Sequence, residues 1–157
     1  MRDAGAGIGY MKNKSILIVD DEPHIGAVIA GKLRQAGARA TTAHDGCEAL
    51  RLCREHGYDL IIADLCMPRM DGAALVEALA RDAATADVPV LILTGLGHTM
   101  EHSRLARSNV AGIMAKPFSP RDLVERVRHA LAGTPTGVKP PSKSGVGREA
   151  VPRRSVA

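Results

Sequence analysis

The sequence predicts an α/β domain: a (βα)5, doubly wound, parallel five-stranded sheet with helices on both faces. Three observations predict it. Five short aliphatic or β-branched runs recur along the chain, helical periodicity fills the intervals, and helix-capping residues stand at the joins. Strands that alternate with helices need right-handed crossovers, so they lie parallel and are covered on both sides. The 157 residues suffice for one such domain, and with aromatics at 2% its core must be aliphatic.

The strand runs are Ile16–Val19, Ala38–Ala43, Leu60–Ala63, Val88–Leu93 and Gly112–Ala115. After Pro23, residues Ile25, Val28, Ile29 and Leu33 follow the spacing of one buried helical face, and Gly37 stands where a C-terminal cap belongs. Asp45 caps a second helix that stops at Gly57. Asp71 caps a third that carries Leu75, Val76 and Leu79. A fourth is expected around 98–107. In the last helix Ser119 is the N-cap, Pro120 is at N1 and Asp122 at N3 favours the positive end of the dipole. Phe118 and Leu123 are spaced for a hydrophobic staple, and Leu123, Val127 and Leu131 line one face.

Both ends read as unstructured. Residues 1–13 form a flexible N-terminal extension, 14–132 the folded domain, and 133–157 a disordered basic tail rich in Pro, Gly and Ser. Met11 would itself make a natural start. The Gly5-x-Gly7-x-Gly9 run has no strand before it and lacks G-x-G-x-x-G spacing, so it is no dinucleotide loop. Residues 1–132 hold 16 Lys/Arg and 16 Asp/Glu, so the net charge of +4 resides in the tail. The basic balance is therefore no ground for nucleic-acid binding by the folded part, and salt-sensitive anchoring through the tail is a secondary reading. No apolar run reaches the roughly 18 residues of a membrane span, and no signal peptide is legible. Cys47, Cys53 and Cys66 are odd in number without a C-x-x-C pair, which fits reduced thiols in a cytoplasm.

In doubly wound sheets the functional crevice lies outside the carboxyl ends of the strands. Strand one ends in Asp20-Asp21-Glu22, strand three in Asp64, strand four in Thr94-Gly95 and strand five in Lys116-Pro117. An acidic trio repels phosphate, whereas nucleotide sites offer bare N–H groups there, so a divalent cation must intervene. Carboxylates and water suit a hard ion such as Mg²⁺. Asp64 can then act as nucleophile and form an aspartyl phosphate, with Lys116 and the Thr94 hydroxyl stabilising the phosphoryl oxygens. Glu22 is assigned mainly to the start of the first helix.

"ILIVDDEP", "LIIADLCMPRMDG", "VPVLILTG" and "GIMAKPF" together resemble the receiver domain of bacterial two-component response regulators, over about residues 14–132. The resemblance implies flavodoxin-like strand order 2-1-3-4-5. It implies that Asp64 accepts a phosphoryl group from a sensor histidine kinase or a histidine phosphotransfer protein. Asp21 is then a direct Mg²⁺ ligand, Asp20 binds largely through water, and the Cys66 main-chain carbonyl supplies a further ligand. Thr94 and Lys116 would read the phosphorylated state, and Pro117 would follow a cis bond. Where the family often has a Tyr or Phe, three residues before the lysine, this chain has Ile113.

The tail is too short and polar to fold as a DNA-binding unit, so a single-domain receiver is expected. It would present the predicted fourth helix, strand five and the last helix to a downstream protein target, with a phosphorylation-linked dimer possible. His24 and Ile25 are plausible kinase contacts. Such a domain is not an enzyme toward other substrates, catalysing only its own phosphorylation and slow dephosphorylation. The other readings are a phosphorelay shuttle, a receiver-like scaffold that is never phosphorylated, and a Mg²⁺-dependent phosphatase with an aspartyl nucleophile. The phosphatase would want its nucleophile on strand one, which Asp20-x-Glu22 only loosely imitates, and a cap region. His98-x-x-Glu101-His102 matches a zinc-peptidase motif, but a third ligand and a cleft are not in sight, and exposed helix histidines are the simpler reading.

Overall fold

A computed structural model describes residues 11–95, 105 and 109–133. The leader's glycine run, the tail from 134, and the predicted helix around 98–107 with its H-x-x-E-H motif lie outside the described residues, except that Leu105 is buried in the core. The strands are β1 (Ser15–Val19), β2 (Arg39–Ala43), β3 (Leu60–Asp64), β4 (Val90–Thr94) and β5 (Val110–Ala115). Four helices are described: α1 (Pro23–Gln35), α2 (Gly46–Glu55), α3 (Gly72–Arg81) and α4 (Pro120–Leu131). All strand pairs are parallel, in the order β2-β1-β3-β4-β5.

Side-chain alternation divides the interior into two layers. Leu17, Val19, Ile61, Ala63, Val90, Ile92 and Ile113 pack toward α2 and α3, against Ala49, Leu75, Val76 and Leu79. Ile16, Ile18, Leu60, Ile62, Leu91, Leu93 and Met114 pack toward α1 and α4, against Ile29, Leu33, Leu123 and Val127. β3 and β4 are buried at every position, as central strands covered on both faces must be.

Local signals explain the helix ends. Gly37, at φ 102°, closes α1 as a Schellman cap: its N–H donates to Arg34 O and that of Ala38 to Leu33 O, each at 3.0 Å. Asp45, Asp71 and Ser119 cap α2, α3 and α4 by accepting from Glu48, Ala74 and Asp122 N–H groups.

Several expectations are corrected. Val28 is 56% exposed, because the buried face of α1 is Gly26, Ile29, Ala30 and Leu33, a stripe that passes Val28 by. Met11, assigned to a flexible extension, is fully buried among Ile16, Ile29 and Leu33, so the fold begins before residue 14. Glu22 holds the N-cap position of α1 but makes no side-chain cap; its own N–H is bound instead by Asp20 Oδ1 at 2.9 Å. β5 starts at Val110, before Gly112, and its register shifts opposite Val90/Leu91.

One glycine fixes the height of the loop that follows Asp64. A Cβ on Gly72, the first residue of α3, would stand 2.6 Å from the Asp64 carbonyl oxygen and 2.8 Å from Leu65 Cα. Neither backbone atom can move aside cheaply. Gly72→Ala is expected to lower stability in urea unfolding by about 1–3 kcal/mol, whereas Gly57→Ala, with nothing within 4 Å, should be close to neutral.

Candidate functional site at the carboxyl ends of the strands

Parity along the strands decides which side chains meet. Asp20 continues the Ile16, Ile18 row, Asp64 the Leu60, Ile62 row, and Lys116 follows Met114. The ladder holds these ends in place: Asp20 N–H donates to Ala43 O at 3.1 Å and Lys116 N–H to Thr94 O at 2.7 Å. All three therefore emerge on the same side of the sheet. Lys116 Nζ lies 3.3 Å from Asp64 Oδ2 and 3.6 Å from Asp20 Oδ2. The Lys116–Pro117 peptide bond is cis.

Asp20 and Asp64 are buried, at 2% and 6% exposure, while Asp21 is exposed. Their oxygens, with one from Asp21, lie within 4.8 Å of one another. Burial pushes the Asp20 carboxyl up, against the opposing pull of the Glu22 amide and Lys116. Burial likewise raises Asp64, although Lys116 and the Cys66 N–H favour its ionised form. Burial pulls the Lys116 ammonium down, but Asp64 and Asp20 together outweigh it and leave it above its usual value.

Three carboxylates against one ammonium leave a surplus of negative charge, and Asp20 Oδ2 is buried with no hydrogen-bond partner among the described residues. An all-oxygen donor set with an orphaned buried oxygen fits a hard divalent cation. Thr94, 9% exposed, closes the site on the β4 side; its hydroxyl donates to Gly95 O at 3.2 Å. Cys66 is exposed, two residues beyond Asp64. The structure thus brings Asp20, Asp21, Asp64 and Lys116 together, with Thr94 at the end of β4 and Cys66 on the loop after β3.

A feature that sequence reasoning missed stands beside them. Arg69, on the β3–α3 loop, pairs with Asp45, the N-cap of α2, 24 residues away. The backbone signal was a non-glycine residue in the left-handed region, at φ 65°, which a sequence does not announce.

Comparison with known proteins agrees with this geometry. The pattern of the response regulator receiver domain matches residues 16–128, and the chain belongs to that family. It is 37% identical over 119 residues to the DNA-binding dual master transcriptional regulator RpaA of Synechocystis, covering 76% of this chain and 49% of that protein. It is 35% identical over 127 residues to the phosphate regulon transcriptional regulatory protein PhoB of Pseudomonas aeruginosa, covering 81% and 56%. The chain therefore spans about half the length of the curated relatives it matches. The receiver domain of the Francisella response regulator 1452 superposes with a TM-score of 0.69 at 33% identity, over 77% of this chain and 98% of that one. The Vibrio cholerae chemotaxis protein CheY4 does so with a TM-score of 0.71 at 30% identity, over 75% and 98%.

The raised carboxylates have a consequence for stability. An Asp whose folded pKa exceeds its unfolded value stabilises the fold when protonated, and that contribution is lost as pH rises through the folded value. Asp20 and Asp64 should therefore oppose folding at neutral pH when no cation is present. Added Mg²⁺ is expected to raise the melting temperature at pH 7.5, and the gain should shrink as pH falls through the raised carboxyl values, where protons compete with the ion. Scanning calorimetry in Mg²⁺ and in EDTA across this range measures both.

Proposed function

We propose that this domain is a phosphorylation-dependent switch of a two-component system, with Asp64 accepting a phosphoryl group from a histidine kinase or phosphotransfer protein. The observation that carries the reading is the convergence of buried Asp64 and Asp20 on the Lys116 ammonium, 3.3 and 3.6 Å away. In the transfer a carboxylate oxygen of Asp64 forms a bond to phosphorus as the phosphorus–nitrogen bond of the donor phosphohistidine breaks. The bonding pair returns to the imidazole, which then takes up a proton. Lys116 is placed to neutralise charge on the transferring group, and the Thr94 hydroxyl can exchange its Gly95 acceptor for a phosphoryl oxygen.

Asp20, Asp21 and Asp64, with the main-chain carbonyl of Cys66, would hold Mg²⁺; by the family resemblance Asp21 would be a direct ligand and Asp20 would act largely through water. When bound, the ion would supply further neutralisation of the phosphoryl oxygens beside that of Lys116. The domain turns over no external substrate. Phosphorylation shifts a two-state equilibrium and remodels the surface that includes β5 and α4 for a protein target in the cytoplasm. The names of RpaA and PhoB support transcription as a class of output, whether exerted through a partner or through a region joined to the domain.

Incubation with acetyl phosphate and Mg²⁺ tests the assignment. Wild type is expected to gain one phosphoryl group, removed by hydroxylamine, and Asp64→Asn to gain none. Equal labelling of both proteins, or no labelling of either, would sink the phosphoacceptor assignment. Hydrolysis of a generic phosphate ester that survives Asp64→Asn would favour the phosphatase reading instead.

A further inference from the structure

We propose that Arg69, clamped to Asp45, is a positioning residue that holds the loop after Asp64 in the shape its ion site needs. The proposal rests on the reading of Asp64 as a Mg²⁺-dependent phosphoacceptor.

The loop between β3 and α3 is fixed at both ends by main-chain bonds. Leu65 N–H donates to Leu93 O, and Gly72 N–H returns to Leu65 O, each at 2.8 Å. Between these anchors, Cys66, Pro68 and Arg69 are exposed. This middle stretch carries the Cys66 amide, which binds the Asp64 carboxylate, and the Cys66 carbonyl assigned to the ion. Met67 and Met70 pack against the core on either side of Pro68 and Arg69, and Met70 N–H donates to Pro68 O at 2.7 Å, so the exposed part of the loop is short and a side chain at 69 can fix it laterally.

Arg69 supplies the lateral hold. Its guanidinium Nη2 donates to Asp45 Oδ2, while Asp45 Oδ1 separately accepts the Glu48 N–H at 2.8 Å. The two carboxylate oxygens thus have separate tasks, one in the helix cap and one in the clamp. Asp45 is a rigid post: it is 7% exposed, and Glu48 reaches back to accept the His44 N–H at 2.8 Å. The Glu48 amide and then Arg69 hold its carboxyl below the usual range, so it stays ionised. α2 also lies directly against the loop, since a Cβ on Gly46 would meet the Met70 side chain at 2.8 Å.

An exposed ion pair ordinarily contributes little. Here one partner is buried and preordered, and the other accepts an unfavourable left-handed backbone at φ 65° to reach it. A residue with no task at 69 would more naturally be Gly or Asn. A second-layer contact that orients a metal ligand typically changes metal affinity by about 10–100-fold when removed, which sets the scale of the expected effect.

Two variants dissect the clamp without removing either helix cap or fold. Asp45→Asn keeps the cap acceptor and loses the charge. Arg69→Asn accommodates the left-handed backbone and cannot reach Asp45. Calorimetric titration with Mg²⁺ and the rate of labelling by acetyl phosphate are the readouts, with melting temperature in EDTA as the check on folding. Each single variant is expected to lose about tenfold in Mg²⁺ affinity, and the double variant no more than either single one. Arg69→Lys should recover part of the loss, and Arg69→Asn should melt no lower than wild type. Wild-type Mg²⁺ affinity and labelling in Arg69→Asn, or losses that add in the double variant, would overturn the clamp while leaving the reading of Asp64 intact. A wild-type protein that neither binds Mg²⁺ nor becomes labelled would defeat the reading of Asp64, and the clamp with it.

Discussion

Two buried carboxylates, at the ends of neighbouring strands, share a single ammonium that arrives from the far edge of the sheet. Much of the structure serves that arrangement. The β2-β1-β3-β4-β5 order sets Asp20 beside Asp64, and β4 alone stands between Asp64 and the strand that carries Lys116. Residue parity turns all three side chains to one side. The aliphatic layers around β1, β3 and β4 exclude water beneath them and strengthen every charge–charge term at the strand ends. A site built this way carries uncompensated negative charge, which favours an added cation.

What could be read in the sequence was what is local. Asp45, Asp71 and Ser119 cap helices through contacts three residues long, and Gly37 closes α1 within one turn, so composition and spacing suffice. Strand ends were legible because aliphatic runs stop at acids, at Thr94 and at Lys116. Longer-range matters were not. Val28 fits a helical apolar period as well as Ile29 does, and only the direction of the sheet decides between them. Met11 lies beyond any periodic segment, and its burial comes from side chains of β1 and α1. That Asp20 is enclosed while Asp21 is exposed depends on strand parity at the final residue, where a one-position error exchanges the two. The Arg69–Asp45 clamp joins two loops through a backbone conformation that no spacing rule encodes.

Ile113 gives the domain a different interior from that of relatives with an aromatic residue there. It is 5% exposed, in the same layer as Val76, Leu79, Ile92 and Leu105. A β-branched side chain in this layer has no ring to exchange between an inward and an outward orientation. Arg126, which donates to Ile113 O at 3.2 Å, ties that layer to α4.

The contact between Gly72 and Asp64 has a mechanical corollary. With the first residue of α3 resting on the backbone of Asp64 and Leu65, no side chain separates the end of β3 from the start of that helix at this point. The joint has no slack. A shift of the Asp64 backbone would bear directly on the first turn of α3. At this one point the end of β3 and the start of α3 are coupled backbone to backbone.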